Sequence, residues 1–127
     1  MSGVRVLIVD DSSVMRKIIE RSLRQAGLES LTVFEAASGM EGLEILRSKE
    51  VDIILSDINM PGMDGLEFVR QLRAQKMAGC VPVVMITTES SEEHVRQAIE
   101  AGAVGYIRKP FTADQVKRRV LSLLSAE

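Results

Sequence analysis

Apolar residues gather in five short runs along this chain, and between the runs they recur at the spacing of a helix. Four runs, at residues 6–9, 51–56, 81–86 and 104–107, are almost wholly apolar, and polar residues lie at their ends. Short runs of this kind are typical of strands that are buried on both faces of a parallel sheet. The fifth run, at residues 31–36, is the least apolar and suggests a strand at the edge of the sheet.

Residues that cap helices precede the stretches with helical spacing. A capping pair three positions apart occurs four times, as Ser38 with Glu41, Asp64 with Glu67, Ser90 with Glu93, and Thr112 with Gln115. Gly27 and Gly102 stand where two helices would end. The helix that begins near Ser38 is expected to bury Met40, Leu43 and Leu46.

Five strand–helix units in succession predict an α/β fold with three layers. Right-handed crossovers place helices on both faces of a parallel sheet, so the sheet lies between two helical layers. The edge-like second strand suggests the order 2-1-3-4-5, which belongs to doubly wound, flavodoxin-like (βα)5 folds. We expect residues 1–127 to form one domain, because 127 residues is an ordinary domain size.

Composition narrows the class of protein further. With 16 basic and 18 acidic residues the net charge is −2, so a strongly basic face for nucleic acid is not expected. The single Cys80 excludes an internal disulfide and is expected to be a small buried side chain. We expect neither a signal peptide nor a membrane-spanning segment, because the first apolar run begins at residue 6 and no apolar stretch is long enough to span a membrane. We therefore expect a cytoplasmic protein that binds neither nucleic acid nor membranes.

Charged and polar residues follow four of the predicted strands. Asp10 and Asp11 follow the first strand, Asp57 the third, Thr87 the fourth and Lys109 the fifth. Carboxyl ends of parallel strands meet at one sheet edge, which is where open α/β sheets bind ligands.

Two carboxylates about 4 Å apart repel by roughly 4 kcal/mol at an effective dielectric constant of 20. Carboxylates without histidine or cysteine nearby suit Mg²⁺, with Mn²⁺ as the alternative. The pattern thus predicts a site for a hard cation and a phosphoryl group. The competing interpretation is that Asp10 and Asp11 only cap the first helix.

Several motifs at these strand ends resemble the receiver domain of two-component response regulators, in particular the single-domain regulators of the CheY type. The motifs are VDDS at 9–12, SDINMPGMDG at 56–65, ITT at 86–88 and GYIRKPF at 105–111. The resemblance extends from about Val4 to Leu124. It implies a phosphorylation-dependent signalling protein of chemotaxis or another two-component pathway.

The resemblance also implies roles for single residues. Asp57 would accept a phosphoryl group from a phosphohistidine on a sensor histidine kinase. Asp11 and Asp57 would ligate Mg²⁺ through carboxylate oxygens, Asn59 through its backbone carbonyl, and Asp10 through a water molecule. Lys109, preceding Pro110 across a cis peptide bond, would pair with the phosphoryl oxygens.

A second group of residues would connect the site to a partner. Thr87 would move inward to the phosphoryl group and Tyr106 would follow as a switch, while Asn59 and Glu89 would tune hydrolysis. The output surface would lie on the fourth helix, fifth strand and fifth helix and comprise Glu92, Val95, Ile99, Ala103, Tyr106 and Lys117.

One departure concerns the downstream partner. Relatives that bind the flagellar motor tend to carry lysines where this chain has Ser91, Glu92 and Glu93. The motor is therefore in doubt as the target, and the resemblance leaves the downstream protein unnamed. We expect the chain to act as a monomer.

Two enzymatic or cofactor-binding alternatives share the predicted topology. A haloacid-dehalogenase-type phosphatase would need a second carboxylate two residues after its nucleophile, where this chain has Asn59. A flavodoxin-like FMN-binding protein would need a phosphate loop rich in Ser, Thr and Gly, where this chain has Asp10 and Asp11. An interaction module that is never phosphorylated is the third alternative. We expect a switch that catalyses only its own phosphorylation and dephosphorylation, and no turnover of an external substrate.

Overall fold

The computed structural model describes residues 3–25, 27, 30–75, 81–88 and 92–124, in which strands and helices alternate. The elements are β1 (Val4–Val9), α1 (Ser13–Gln25), β2 (Leu31–Ala36), α2 (Gly39–Leu46), β3 (Ile53–Asp57), α3 (Gly65–Ala74), β4 (Val83–Thr87), α4 (Glu92–Ala101), β5 (Gly105–Arg108) and α5 (Ala113–Leu124). The strands form one parallel sheet in the order β2-β1-β3-β4-β5. The predicted fold class and strand order are confirmed.

Each face of the sheet carries its own hydrophobic core, because successive side chains of a strand point to opposite faces. On one face Leu7 and Ile54 pack with Phe68 of α3, and α2 and α4 contribute to the same cluster. On the other face Ile8 and Leu55 pack with side chains of α1 and α5. Helices on both faces cover the sheet, as the three-layer prediction required.

Three of the four predicted capping pairs are formed. Ser38 and Asp64 accept hydrogen bonds from the backbone N–H groups of the residues three positions on, and Thr112 and Gln115 bond reciprocally. Ser90 lies outside the described residues, as does Cys80. Gly27 and Gly102 have φ values of 86° and 124°, a backbone conformation that glycine adopts without strain. Local sequence therefore sets the starts of α2, α3 and α5 and the ends of α1 and α4.

The prediction that α2 buries Met40 is wrong, since Met40 is 61% exposed. The inner face of this short helix is formed by Gly39, Gly42 and Leu43, which are buried. A β-carbon at Gly42 would come within 3.0 Å of the Phe68 ring, so the helix packs too closely there for a larger inner face. Leu43 is buried as predicted, and Leu46 is only partly buried.

Four of the five strands differ from the predicted runs by one or two residues at one or both ends. β3 begins at Ile53 and β4 includes Thr87, whereas β5 begins only at Gly105. Val104 precedes β5 and is 47% exposed. Within the described ranges, none of the helices combines the length and the apolar character needed to cross a membrane.

Candidate functional site

Asp10 follows β1 and is buried beside the neighbouring strand. Its backbone N–H donates to the carbonyl of Ala36 (3.0 Å), which extends the β1–β2 pairing by one bond. Its Oδ1 accepts from the backbone N–H of Ser12 at 2.9 Å. Asp11 is exposed next to it. One carboxylate is thus fixed in the protein and the other faces solvent.

Asp57 is the last residue of β3, and the chain turns tightly behind it. The side chain is nearly buried, and its Oδ1 accepts from the backbone N–H of Asn59 at 3.4 Å. The N–H of Gly65 donates to the carbonyl of Ile58 (2.8 Å) and brings the start of α3 against the end of β3. A β-carbon at Gly65 would lie 2.1 Å from the carbonyl oxygen of Asp57, so only glycine fits there.

Lys109 is the residue that brings an ammonium group to this cluster in the described part of the chain. Its Nζ lies 3.3 Å from Oδ2 of Asp10 and 3.7 Å from Oδ2 of Asp57, with the side chain 13% exposed. Its backbone N–H donates to the carbonyl of Thr87 at 2.8 Å, which anchors the end of β5 to the end of β4. The peptide bond to Pro110 is cis, as predicted.

The three carboxylates converge. One oxygen each of Asp10, Asp11 and Asp57 can be chosen so that all lie within 4.8 Å of one another. No histidine or cysteine belongs to this group among the residues described, and oxygen-only donors are what Mg²⁺ and Mn²⁺ prefer. One ammonium does not neutralise three carboxylates. The residues present therefore fit a divalent hard cation.

The pKa of Asp57 is raised, and burial is the main cause. Repulsion from the carboxylate of Asp10 acts in the same direction. The charge of Lys109 and the backbone N–H groups of Asn59 and Ile58 oppose the rise without cancelling it. The ionised side chain of Asp57 is thus disfavoured in the fold, and positive charge brought to the site would stabilise it.

Thr87 and Tyr106 lie on adjacent strands beside this site. Thr87 ends β4, is fully buried, and pairs in the sheet with Arg108. Tyr106 pairs with Met85 in the same ladder and packs partly buried against the core. The two predicted switch residues therefore lie close together on the paired strands β4 and β5, whose carboxyl ends reach the acidic site.

The predicted output residues are only partly at the surface. Ile99 is 46% exposed, Val95 and Tyr106 are partly buried, and Lys117 is exposed. The prediction that Ala103 belongs to the exposed output surface is wrong, since Ala103 is only 5% exposed. Its N–H donates to the carbonyl of Ala98, which draws it into the core.

Two other predicted residues lie at the limits of the described chain. The side chain of Glu92 is outside the described residues, although its backbone begins α4. Glu89 lies outside them altogether. Their predicted roles at the output surface and in hydrolysis stay predictions.

Sequence reasoning gave no role to three residues that shape this region. Val104 takes the exposed position that was predicted for Ala103. Gly65 was visible in the motif after Asp57, where a glycine that opens a helix signals close packing. Arg16, which donates to the carbonyl of Asp10 at 2.6 Å, carries no sequence signal that separates it from Lys17 beside it.

Comparison with known proteins was consistent across sequence and structure. A family profile described as the response regulator receiver domain matches residues 6–121. Chemotaxis protein CheY-3 of Vibrio cholerae is 39% identical over 118 residues, which cover 93% of this chain and 89% of that protein.

Solved structures agree with this match. Chemotaxis protein CheY4 of Vibrio cholerae has a TM-score of 0.86 and 36% identity, with 95% of this chain and 98% of that chain covered. The receiver domain of the sensor histidine kinase PA1611 from Pseudomonas aeruginosa PAO1 has a magnesium ion coordinated in its active site cleft. It has a TM-score of 0.85 and 28% identity, with 97% and 98% coverage. The chain belongs to the family of response regulator receiver domains, and it is a phosphorylation-dependent signalling switch.

Proposed function

We propose that Asp57 is the phosphoacceptor of this switch and that Asp10, Asp11 and Lys109 form its reaction site. The observation that supports this most directly is the convergence of three carboxylates and one ammonium around the nearly buried Asp57. Other described carboxylates are engaged away from this group: Glu35 and Asp52, for example, are held in ion pairs elsewhere. Asp57 is the only member of the group at the end of the central strand β3.

The reaction joins one Asp57 carboxylate oxygen to phosphorus. The P–N bond of the donor phosphohistidine breaks as the P–O bond forms; the electron pair of that bond stays on the imidazole nitrogen, which takes up a proton from solvent. Phosphoryl transfer depends mostly on positioning and on charge stabilisation. The ammonium of Lys109 is positioned to pair with phosphoryl oxygens on Asp57, since its Nζ is 3.7 Å from Oδ2.

Mg²⁺ is the cation that we assign to the site, with Mn²⁺ as an alternative. Its ligands would be the carboxylates of Asp11 and Asp57 and the backbone carbonyl of Asn59, with Asp10 contacting a bound water. When bound, the ion supplies positive charge against the phosphoryl oxygens. The magnesium ion of the PA1611 receiver domain supports the assignment.

Receivers of this kind are not conventional enzymes, and we propose that this chain catalyses only its own phosphorylation and slow dephosphorylation. The exposed Asn59, together with Glu89, would affect access of water to the phosphorylated Asp57. The phosphatase alternative lacks its second carboxylate at Asn59, and the flavin alternative is disfavoured because Asp10 and Asp11 would repel a ligand phosphate.

Acetyl phosphate tests this assignment without a mutation. With Mg²⁺ we expect the wild-type protein to gain one phosphoryl group, and with EDTA we expect almost none, as read by prompt intact mass spectrometry. Borohydride reduces an acyl phosphate to an alcohol, so the reduced protein should carry homoserine at position 57. Homoserine at position 10 or 11 instead would remove Asp57 from its proposed role.

The signal would leave the site through Thr87 and Tyr106. The hydroxyl of Thr87 moves toward the phosphoryl group and Tyr106 follows into the freed space, which biases a two-state surface. The downstream protein would bind on α4, β5 and α5, at the residues Glu92, Val95, Ile99, Tyr106 and Lys117, with Val104 in place of Ala103. The sensor histidine kinase would approach the sheet edge that carries Asp57.

Basic and acidic residues lie on different parts of this output surface. Tyr106 and Arg108 of β5 and residues of α5, among them Arg118 and Arg119, line a groove of about 460 Å³. Arg118 pairs with Asp114, while neither Arg108 nor Arg119 has an ion-pair partner within the described parts of the chain. A downstream protein would therefore meet a basic groove next to the more acidic α4.

We further propose that residues 1–127 form one domain that acts as a monomer in the cytoplasm.

Beryllofluoride with Mg²⁺ imitates the phosphorylated carboxylate and tests the switch. We expect backbone amide resonances of α4, β5 and α5 to shift, while those of α2 change much less. In Thr87→Ala the reagent should still bind and the shifts in β5 should shrink, because the hydroxyl that links site to surface is gone. If the wild-type shifts stay within the loops around Asp11, Asp57 and Lys109, the protein binds phosphate without switching.

A further inference from the structure

The loop between β1 and α1 is held by its backbone at both sides of Asp10. The N–H of Asp10 donates to the carbonyl of Ala36 at 3.0 Å. The carbonyl of Asp10 accepts from Nη1 of Arg16 at 2.6 Å. The peptide unit that joins Asp10 to Asp11 is therefore tied to the helix that follows it.

Arg16 is itself fixed by a second bond from a different nitrogen. Its Nε donates to Oε1 of Glu35 at 2.9 Å, and Glu35 is a residue of the neighbouring strand β2. The side chain of Arg16 is 15% exposed. Lys17 donates to the other oxygen of Glu35 at 2.9 Å, and its hydrogen bond, followed by that of Arg16, lowers the pKa of Glu35. The carboxylate of Glu35 thus remains charged and holds the guanidinium in place.

The geometry points to Arg16 as a positioning residue for the Mg²⁺ site, and this inference rests on the proposed function. The hydrogen bond from Arg16 to the Asp10 carbonyl fixes the orientation of the peptide plane between Asp10 and Asp11. The orientation of this plane in turn sets the directions in which the two aspartate side chains point. Groups that orient metal ligands in this indirect way typically change metal affinity by about 10- to 100-fold when they are removed.

The planar guanidinium is what the arrangement requires, and charge alone does not supply it. Two N–H groups at a fixed angle reach the Asp10 carbonyl and the Glu35 carboxylate at once. A lysine would keep the positive charge near the three carboxylates but has a single nitrogen that cannot reproduce this fork. Arg16→Lys therefore separates positioning from electrostatic attraction.

Titration with Mg²⁺, followed by amide resonances in two-dimensional NMR, measures affinity without any phosphorylation. We expect Arg16→Met to bind Mg²⁺ about 10- to 100-fold more weakly than the wild type, and Arg16→Lys to recover only a small part of the loss. Arg21→Met is the matched control: it removes an exposed arginine from the same helix and should leave the affinity near that of the wild type. Phosphorylation by acetyl phosphate at saturating Mg²⁺ should return close to the wild-type rate in Arg16→Lys.

Two further measurements keep the outcomes apart. Glu35→Gln retains an oxygen acceptor for Arg16 and should change Mg²⁺ affinity much less than Arg16→Met. Arg16→Met alone leaves the negative charge of Glu35 without its arginine partner. The double variant Arg16→Met/Glu35→Gln removes that charge as well. Equal Mg²⁺ affinity of wild type and Arg16→Lys would overturn the positioning role and leave only charge. A wild type that does not bind Mg²⁺ would overturn the proposed site, whereas a binding wild type with an unaffected Arg16→Met would overturn this inference alone.

Discussion

Asp57→Asn should accept no phosphoryl group from acetyl phosphate and should nevertheless melt at a higher temperature than the wild type. Only a carboxylate can form the acyl phosphate, so labelling should vanish completely in intact mass spectrometry. The thermal gain follows from removing one charge of a buried acidic cluster. At pH 7 in EDTA we expect about 1 kcal/mol, which is roughly 3 to 5 °C for a domain of this size.

The pH dependence of that gain has a defined sign. The pKa of Asp57 is raised in the fold, mainly by burial, so the folded protein binds a proton more readily than the unfolded chain. Wild-type stability therefore falls as pH rises from the unfolded pKa, about 4, through the raised folded pKa, and the cost is complete above it. The advantage of Asp57→Asn should be full at neutral pH and shrink as pH falls toward 4.

Circular dichroism melts of the two proteins across this pH range provide the measurement. Mg²⁺ should raise the wild-type melting temperature more than that of Asp57→Asn, since the variant has lost a ligand. A variant that melts lower than the wild type at pH 7 in EDTA would contradict the idea that Asp57 is held in the fold at a cost. Labelling of the variant equal to that of the wild type would end the phosphoacceptor assignment.

Gly65→Ala should be the most destabilising single methyl addition near the site. The new β-carbon would lie 2.1 Å from the carbonyl oxygen of Asp57 and 2.8 Å from the Cα of Ile58. Both contacts are with backbone, which cannot move aside without shifting the end of β3 or the start of α3. We expect a loss of at least about 3 kcal/mol, or roughly 10 °C or more in melting temperature.

Gly62→Ala, in the loop just before α3, is the matched control. Gly62 has a φ of 75°, but apart from its two chain neighbours no residue places an atom within 4 Å of the position of a β-carbon. Its substitution should cost only the backbone strain, about 1 kcal/mol. Residual Gly65→Ala protein that remains folded should also be phosphorylated more slowly, because Asp57 shifts with its carbonyl. Equal melting temperatures for the two variants would show that the close approach at Gly65 does not constrain the fold.

The sequence by itself predicted the layers, the edge position of β2 and the gathering of the acidic residues at one sheet edge, whereas the full strand order was only suggested by that edge and is established by the pairing of the strands. Apolar runs and capping pairs are local patterns, and the caps at Ser38, Asp64 and Thr112 formed as their spacing predicted. Asp10, Asp57 and Lys109 could be placed together because the carboxyl ends of parallel strands always share one edge. Their individual roles in the reaction stay predictions.

Only the tertiary structure decided which side chains of short elements face inward and which backbone groups touch. Met40 points outward because α2 approaches Phe68 closely on its inner face. Ala103 points inward because its N–H is bonded to the carbonyl of Ala98 near the end of α4. The bond from Arg16 to the Asp10 carbonyl joins a helix to a loop, and Glu35 completes it from a third element. Such contacts depend on distances between elements that are remote in sequence, and a local pattern of polar and apolar residues does not encode those distances.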